Sequence, residues 1–277
     1  MRDIGPGENE LDITSTANPR IKALVRLRRR RHRDESGQTL VEGFEELRLA
    51  LSAGVVPSAL YCCPELVDSG EWDAIEAAST SGADLITVNR AVFDKIAYRE
   101  SPDGWLAVLP SVRAGLSELR LGPAPLILVS EGVEKPGNLG AMLRTCDAAG
   151  VSAVIATDAG TDWANPNVVR ASKGAVYTVP VAAASGTEVL AWLAERHIPI
   201  VATTPDARLN YTEVDLRGPV AIAVGAEDRG LSQAWLDAAT HRVVIPMHGL
   251  IDSLNVSTSS AILLYEALRQ RPAAPDR

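Results

Sequence analysis

The sequence predicts an α/β protein built as two α/β domains. Three observations carry that prediction. Short apolar runs alternate with stretches of helical periodicity along most of the chain. In the second half these runs are continuously apolar, as strands covered on both faces of a parallel sheet are. Between the halves the alternation stops at residues 111–125, where Gly115, Gly122, Pro123 and Pro125 cluster as a linker does. With 277 residues, either half is large enough to bury a core.

Residues 1–12 are acidic and contain Gly and Pro, so they read as a flexible leader. The stretch TSTANP at 14–19 has helix-start chemistry. Ile21, Leu24, Val25 and Leu27 then recur at helical spacing through a basic run. A strand at 38–41 and a turn at 42–43 lead to a helix at 44–53, closed by Gly54. A strand at 59–62, a helix at 71–81 before Gly82, a strand at 84–88, a helix at 90–96 and a strand at 105–109 complete a domain of residues 13–110. In the second domain, 126–277, strands fall at 126–129, 153–157, 198–203, 220–224 and 243–247. Helices fall at 138–149, 187–196, 232–239 and 258–269, with a helical turn or two at 165–173. In a sheet of this kind ligands gather beyond the carboxyl ends of the strands.

Composition excludes several classes. The net charge of −8 argues against coating nucleic acid by global charge. One local basic run stands out, with Arg20, Lys22, Arg26, Arg28, Arg29, Arg30, Arg31 and Arg33. It is either a solvated helix face or a phosphate-contacting one. The apolar runs are too short to span a bilayer, and MRDIGPGENELD has no apolar segment of a secretory signal, which points to the cytoplasm. Cys62, Cys63 and Cys146 form no disulfide framework, and the four scattered histidines match no metal-ligand spacing, so no metal is expected.

Three strand-end loops carry the candidate chemistry. Residues 134–144, EKPGNLGAMLR, hold Gly137 and Gly140, where backbone can come close to a ligand, with Asn138 and Arg144 beside them. An Asn cap and a surface Arg would read the same way. The loop lacks the Gly-Lys-Ser/Thr of a P-loop and the full G-x-G-x-x-G of a dinucleotide site. Residues 225–231, GAEDRGL, place Glu227 between two glycines, in a tight turn or in a site. Residues 245–261, IPMHGLIDSLNVSTSSA, run from a strand into a helix through Ser253, Asn255 and Ser257, which also suit helix capping. Together the three loops can wrap a nucleotide-like ligand largely by backbone contacts.

NLGAMLR, VGAEDRGLS and IPMHGLIDSLNVSTSSAILLYE resemble, in order and spacing, the three motifs of the SpoU (TrmH) branch of the SPOUT methyltransferases. The resemblance covers about residues 126–270. ITSTANPRIKALVRLRRRRHR and TLVEGFEELRLAL also resemble the opening of that family's accessory domain, a small ribosomal-protein-like α/β/α fold. The resemblance implies S-adenosylmethionine-dependent methylation of a ribose 2′-oxygen in RNA, a deep trefoil knot in the second domain, and a homodimer with the active site near the subunit interface. It implies Arg144 as catalytic, with Asn138, Glu227, Asn255 and Ser257 beside it. The cofactor would be held around Thr203, Gly225, Ile245, Met247, Ser253 and Leu254. Arg20, Lys22 and Arg28 to Arg31 would contact RNA. Ribosomal RNA of the large subunit is the first expected substrate and transfer RNA the second. The Arg- and Ala-rich composition leaves antibiotic self-resistance open, and a non-catalytic ribosome-assembly factor is the rival from another class. A nucleotide-binding dehydrogenase is disfavoured by the missing fingerprint.

Overall fold

The computed structural model describes residues 11–68, 70–72, 82–112 and 115–272. The leader through residue 10 and the helix expected beyond residue 72 lie outside the described residues. The packing divides the chain into two units, Met1–Val112 with Ala164–Thr178, and Arg113–Trp163 with Val179–Arg277.

In the first unit the elements are β1 (Leu11–Ile13), α1 (Pro19–Arg26), α2 (Arg30–Ser36), β2 (Gln38–Glu42), α3 (Phe44–Ser52), β3 (Ala59–Cys62), β4 (Asp84–Val88), α4 (Arg90–Ile96) and β5 (Trp105–Pro110). The sheet runs β1-β4-β3-β5-β2. β1 and β3 lie parallel to β4, while β5 is antiparallel to both β3 and β2. Leu24, Leu40, Ile86, Phe93, Ile96 and Leu106 meet in its core. β1 begins inside the stretch read as leader, and three residues are too few to show a period of their own.

The basic run is not one helix. Asn18 caps α1 by accepting from the Arg20 N–H, with Pro19 in the first helical position. α1 stops at Arg26 and α2 starts at Arg30. Arg33, only 2% exposed, turns its guanidinium back into this break. Its Nη1 donates to the carbonyls of Leu27 at 3.1 Å and Arg28 at 3.0 Å. Arg28 is occupied as well: its Nη2 donates to the carbonyls of Lys95, Ile96 and Ala97 at 3.1, 3.0 and 2.8 Å, closing the end of α4. The structure therefore gives Arg28 a capping role where the sequence suggested a phosphate contact. Arg30 and Arg31 pair along α2 with Asp34 and Glu35. Lys22 and Arg29 are exposed and form no ion pair among the described residues.

The second unit holds β6 (Leu126–Glu131), α5 (Pro136–Ala148), β7 (Ala153–Thr157), β8 (Val181–Ala184), α7 (Gly186–Glu195), β9 (Ile200–Thr203), β10 (Leu209–Asn210), β11 (Val220–Val224), α8 (Gln233–Ala238), β12 (His241–Val244) and α9 (Val256–Gln270). All seven strands are parallel, in the order β10-β12-β9-β11-β6-β7-β8. Every residue of β7 and β11 is buried, as the unbroken apolar runs required. Each fully buried Val or Ile there contributes roughly 1.5–3 kcal/mol relative to an exposed one. α9 packs on α5 and β11. β8 and β10 were not legible, being a run of Val and Ala and a two-residue edge. β12 ends at Val244 rather than 247 because Pro246 has no N–H to give a neighbour.

The segment Ala164–Thr178, read from sequence as part of the second domain, groups with the first unit. It holds the short helix α6 (Pro166–Ala171), capped by the Asn165 side chain. The Thr39 hydroxyl donates to the Ala164 carbonyl. Gly174, at φ +83°, lies against the α3 backbone, where a Cβ would sit 3.0 Å from the Glu46 carbonyl oxygen. Among the described residues no helix is long and apolar enough to cross a membrane, and no three His, Cys, Asp or Glu stand together as a metal site.

Arg33→Ala removes the donor from one buried carbonyl, that of Leu27, and one half-buried carbonyl, that of Arg28. It should lower stability by about 2–4 kcal/mol, read as a fall in the urea midpoint of the full chain. Lys22→Ala on the exposed face of α1 should change it by less than about 0.5 kcal/mol. Equal midpoints for both variants would contradict the capping role of Arg33.

Candidate active site

β9, β11 and β12 end side by side, and their carboxyl ends open into a cavity of about 410 Å³. That volume is in the range of small-molecule sites. Thr203 closes β9, Gly225 follows β11, and Ile245 and Met247 follow β12. Ser253 and Leu254 come in from the loop before α9, so all six expected cofactor positions line one cavity. The Thr203 hydroxyl is buried and has no hydrogen-bond partner among the described residues. A donor–acceptor left unmatched in an otherwise apolar wall of Val224, Leu236, Ile245 and Leu254 calls for a ligand that completes it. Asp206, Asp228 and Asp252 add negative charge. An apolar wall that suits a purine, an unmatched hydroxyl and an excess of carboxylates over the single Arg229 in the lining fit S-adenosylmethionine, which carries a cationic sulfonium.

Gly225 sets the shape of the rim. A Cβ there would lie 2.0 Å from the Gly230 carbonyl carbon and 2.2 Å from the Leu231 nitrogen. The loop closes on itself through the Gly230 N–H, which donates to the Ala226 carbonyl at 2.9 Å, with Gly230 at φ +66°. Glu227 is carried at the turn of this loop.

The Glu227 carboxylate joins all three sequence motifs. Asn138 Nδ2 donates to its Oε1 at 2.8 Å, and Asn255 Nδ2 donates to the same oxygen at 2.9 Å. Lys135 Nζ donates to Oε2 at 2.5 Å. Asn255 Nδ2 also reaches Asn138 Oδ1 at 3.2 Å. The other end of Asn255 caps α9: Oδ1 accepts from the Ser257 N–H at 3.0 Å and from the Ser257 hydroxyl at 2.5 Å. Capping and site, which competed as readings of this stretch, are the two ends of one amide. The Lys135 ammonium, and after it the Asn138 amide, hold the Glu227 carboxyl below the usual carboxylate range, and Lys135 is raised in turn. Both Glu227 oxygens accept hydrogen bonds from protein donors, so the group is suited to positioning donors rather than to taking a proton.

Arg144 is not part of this cluster. Asn138 lies in the first turn of α5, three residues after the cap Lys135. Arg144 follows six residues later, about 9 Å further along the axis and roughly 120° around it. It is exposed and has no hydrogen-bond or ion-pair partner among the described residues. Lys135 is the residue that sequence reasoning passed over. It stands inside EKPGNLG, but a lysine before a proline carries no signal until Glu227 is placed opposite it.

The model of the SpoU rRNA Methylase family matches residues 125–265, and that of the MRM3-like substrate binding domain matches residues 18–107. A 23S rRNA (guanosine-2′-O-)-methyltransferase RlmB of Ralstonia nicotianae is 34% identical over 73% of this chain and 84% of its own length. A crystal structure of an RNA 2′-O ribose methyltransferase superposes with a TM-score of 0.83 at 47% identity, covering 94% of this chain and 99% of that one. The structure of an AdoMet-bound rRNA methyltransferase from Sinorhizobium meliloti superposes with a TM-score of 0.85 at 28% identity, covering 94% and 98%.

Gly225→Ala should weaken S-adenosylmethionine binding by at least about tenfold in calorimetry while the circular dichroism spectrum stays native; one such step is 1.4 kcal/mol. An unchanged affinity would show that the loop closure does not shape the cavity. A second expectation concerns pH. Because the folded value of Glu227 is depressed below its ordinary 4.5, its contribution is present above that value and is lost as pH falls through the lower folded one. The difference in melting temperature between the native chain and Glu227→Gln should be flat from neutral pH to about 5 and shrink only below it. A difference that titrates near pH 7 would refute the assignment.

Proposed function

Because the chain belongs to the SpoU rRNA methylase family, we propose that it methylates a ribose 2′-oxygen of large-subunit ribosomal RNA in the cytoplasm. It is an RNA 2′-O-methyltransferase whose methyl donor is S-adenosylmethionine. The observation that carries the reading is the Glu227 carboxylate, which collects Lys135 and Asn138 from the first motif loop and Asn255 from the third at the rim of the cavity.

When bound, S-adenosylmethionine would supply an electrophilic methyl carbon to the ribose 2′-oxygen and leave as the neutral thioether, with the hydroxyl proton passing to water. The chain's part is to position and polarise. Thr203, Gly225, Ile245, Met247, Ser253 and Leu254 hold the cofactor in the cavity. Asn138 and Asn255, locked by Glu227, offer fixed amides beside it, and Ser257 holds Asn255 in place. Arg144, without a partner among the described residues, stabilises developing negative charge on the 2′-oxygen or holds the target phosphate.

We further propose a homodimer. Arg144 is exposed and has no partner among the described residues, and Leu250, Ile251, Tyr265 and Leu268 are exposed apolar residues on the loop before α9 and on α9. A second chain that covers them is the simplest way to place Arg144 in a complete site. The trefoil knot that the family resemblance implies belongs to the same proposal, with its crossing placed where β9, β11 and β12 end side by side. In the first unit, Arg20, Lys22, Arg29, Arg30 and Arg31 remain as phosphate contacts for the RNA.

Labelled S-adenosylmethionine and unmodified 23S rRNA should give incorporation at a single 2′-oxygen. A position in an antibiotic-binding region would extend the function to self-resistance, whereas incorporation into transfer RNA alone would move the substrate. Arg144→Ala should lower kcat by about 10²–10³-fold, with cofactor affinity unchanged, and Arg144→Lys should restore little because it lacks the planar fork. Near-native turnover in both variants would remove Arg144 from the chemistry. Cofactor binding without transfer to any RNA would favour a non-catalytic assembly factor.

A further inference from the structure

The first unit has a groove of about 480 Å³ of its own. Its floor is apolar, from Ala23, Leu24 and Leu27 of α1 with Ala59 and Val108 of the sheet. Its walls carry charge: Arg20 and Arg26 from α1, His32 and Glu35 from α2, and Asp84 from β4. Arg26 is exposed and has no ion pair among the described residues. Arg20 stands 3.8 Å from Asp84, with both side chains half exposed or more, a pair worth little in water. Tyr61 also lines the groove. It is only 4% exposed, yet its hydroxyl makes no hydrogen bond among the described residues. Burial raises the Tyr61 pKa, which keeps the group a neutral donor. A hydroxyl with no partner among the described residues, in a groove with an apolar floor and the exposed Arg26 guanidinium, is the pattern of a site for a flat polar ligand carrying negative charge.

We propose that this groove takes one unstacked nucleotide of the RNA. The inference rests on the methyltransferase reading and gives it a recognition site outside the catalytic unit. The base lies on Ala23, Leu27 and Val108 with its edge toward the Tyr61 hydroxyl, and the adjoining phosphate meets Arg26 and Arg20. Specific RNA readers bind bases splayed out of helices in this manner. Glu35 and Asp84 accept hydrogen bonds, so the groove favours a base with an exocyclic amino group over uracil.

The test is fluorescence anisotropy of the full chain with end-labelled oligoadenylate and oligouridylate RNA across a salt series. Oligoadenylate should bind more tightly. Arg26→Ala should flatten the slope of log affinity against log salt by about 0.7, the value for one contact to a single strand. Tyr61→Phe keeps the packing and removes only the hydroxyl. It should weaken oligoadenylate by roughly two- to tenfold with the salt slope unchanged. Affinity for S-adenosylmethionine, measured by calorimetry, should be unchanged in both. Native RNA affinity and slope in both variants would overturn the groove. So would a wild-type chain that methylates rRNA without binding either oligomer, and that outcome leaves the methyltransferase reading standing. A wild-type chain that neither binds RNA nor transfers a methyl group would overturn both.

Discussion

A side chain at position 225 would put its first carbon inside the backbone of Gly230. The end of β11 can turn back on itself only because that carbon is missing. From this turn the rest of the rim follows. Glu227 is presented at a fixed place, and Lys135, Asn138 and Asn255 gather on it from two other loops. Three segments far apart in sequence are thereby held in register at the mouth of one cavity.

The bonds in this cluster contribute geometry more than stability. Glu227 and Lys135 are open to water, and exposed ion pairs of this kind add little to folding free energy. The stability resides in the fully buried strands β7 and β11 beneath. Rigidity below and polar adjustment above suit a site that must align two reactants. The two ends of Asn255 show the economy of the arrangement: one oxygen closes α9 while the amide nitrogen serves the rim. The helix terminus and the site cannot be altered independently.

Much of this was legible in the sequence because parallel strands buried on both faces leave continuous apolar runs. That is how β6, β7, β9 and β11 were placed. The six cavity positions were legible for a different reason, since they sit in or beside strand-end motifs whose order matches a known family. What escaped had no local signal. The two-residue β10 pairs only because β12 lies beside it. The break between α1 and α2 depends on Arg33 folding back, and one arginine among eight basic residues does not announce that it is buried. Lys135 belongs with Glu227 through a contact across 92 positions of sequence. Arg144 and Asn138 share a motif, yet the helix turns them apart, so proximity in sequence overstated proximity in space.

The first unit is completed by residues 164–178, which are synthesised after β7 of the second. On a ribosome, therefore, its N-terminal part emerges without its last piece and waits for it. At about 5–20 residues per second the delay is on the order of 3–13 s, long beside the folding time of small domains. During that interval the face that receives Gly174 and Ala164 is uncovered and open to chaperones. Cutting the gene at the linker would reproduce the same unfinished state permanently. The two halves are thus modular in composition but not in biosynthesis, and an excised first unit needs the 164–178 segment grafted back to be whole.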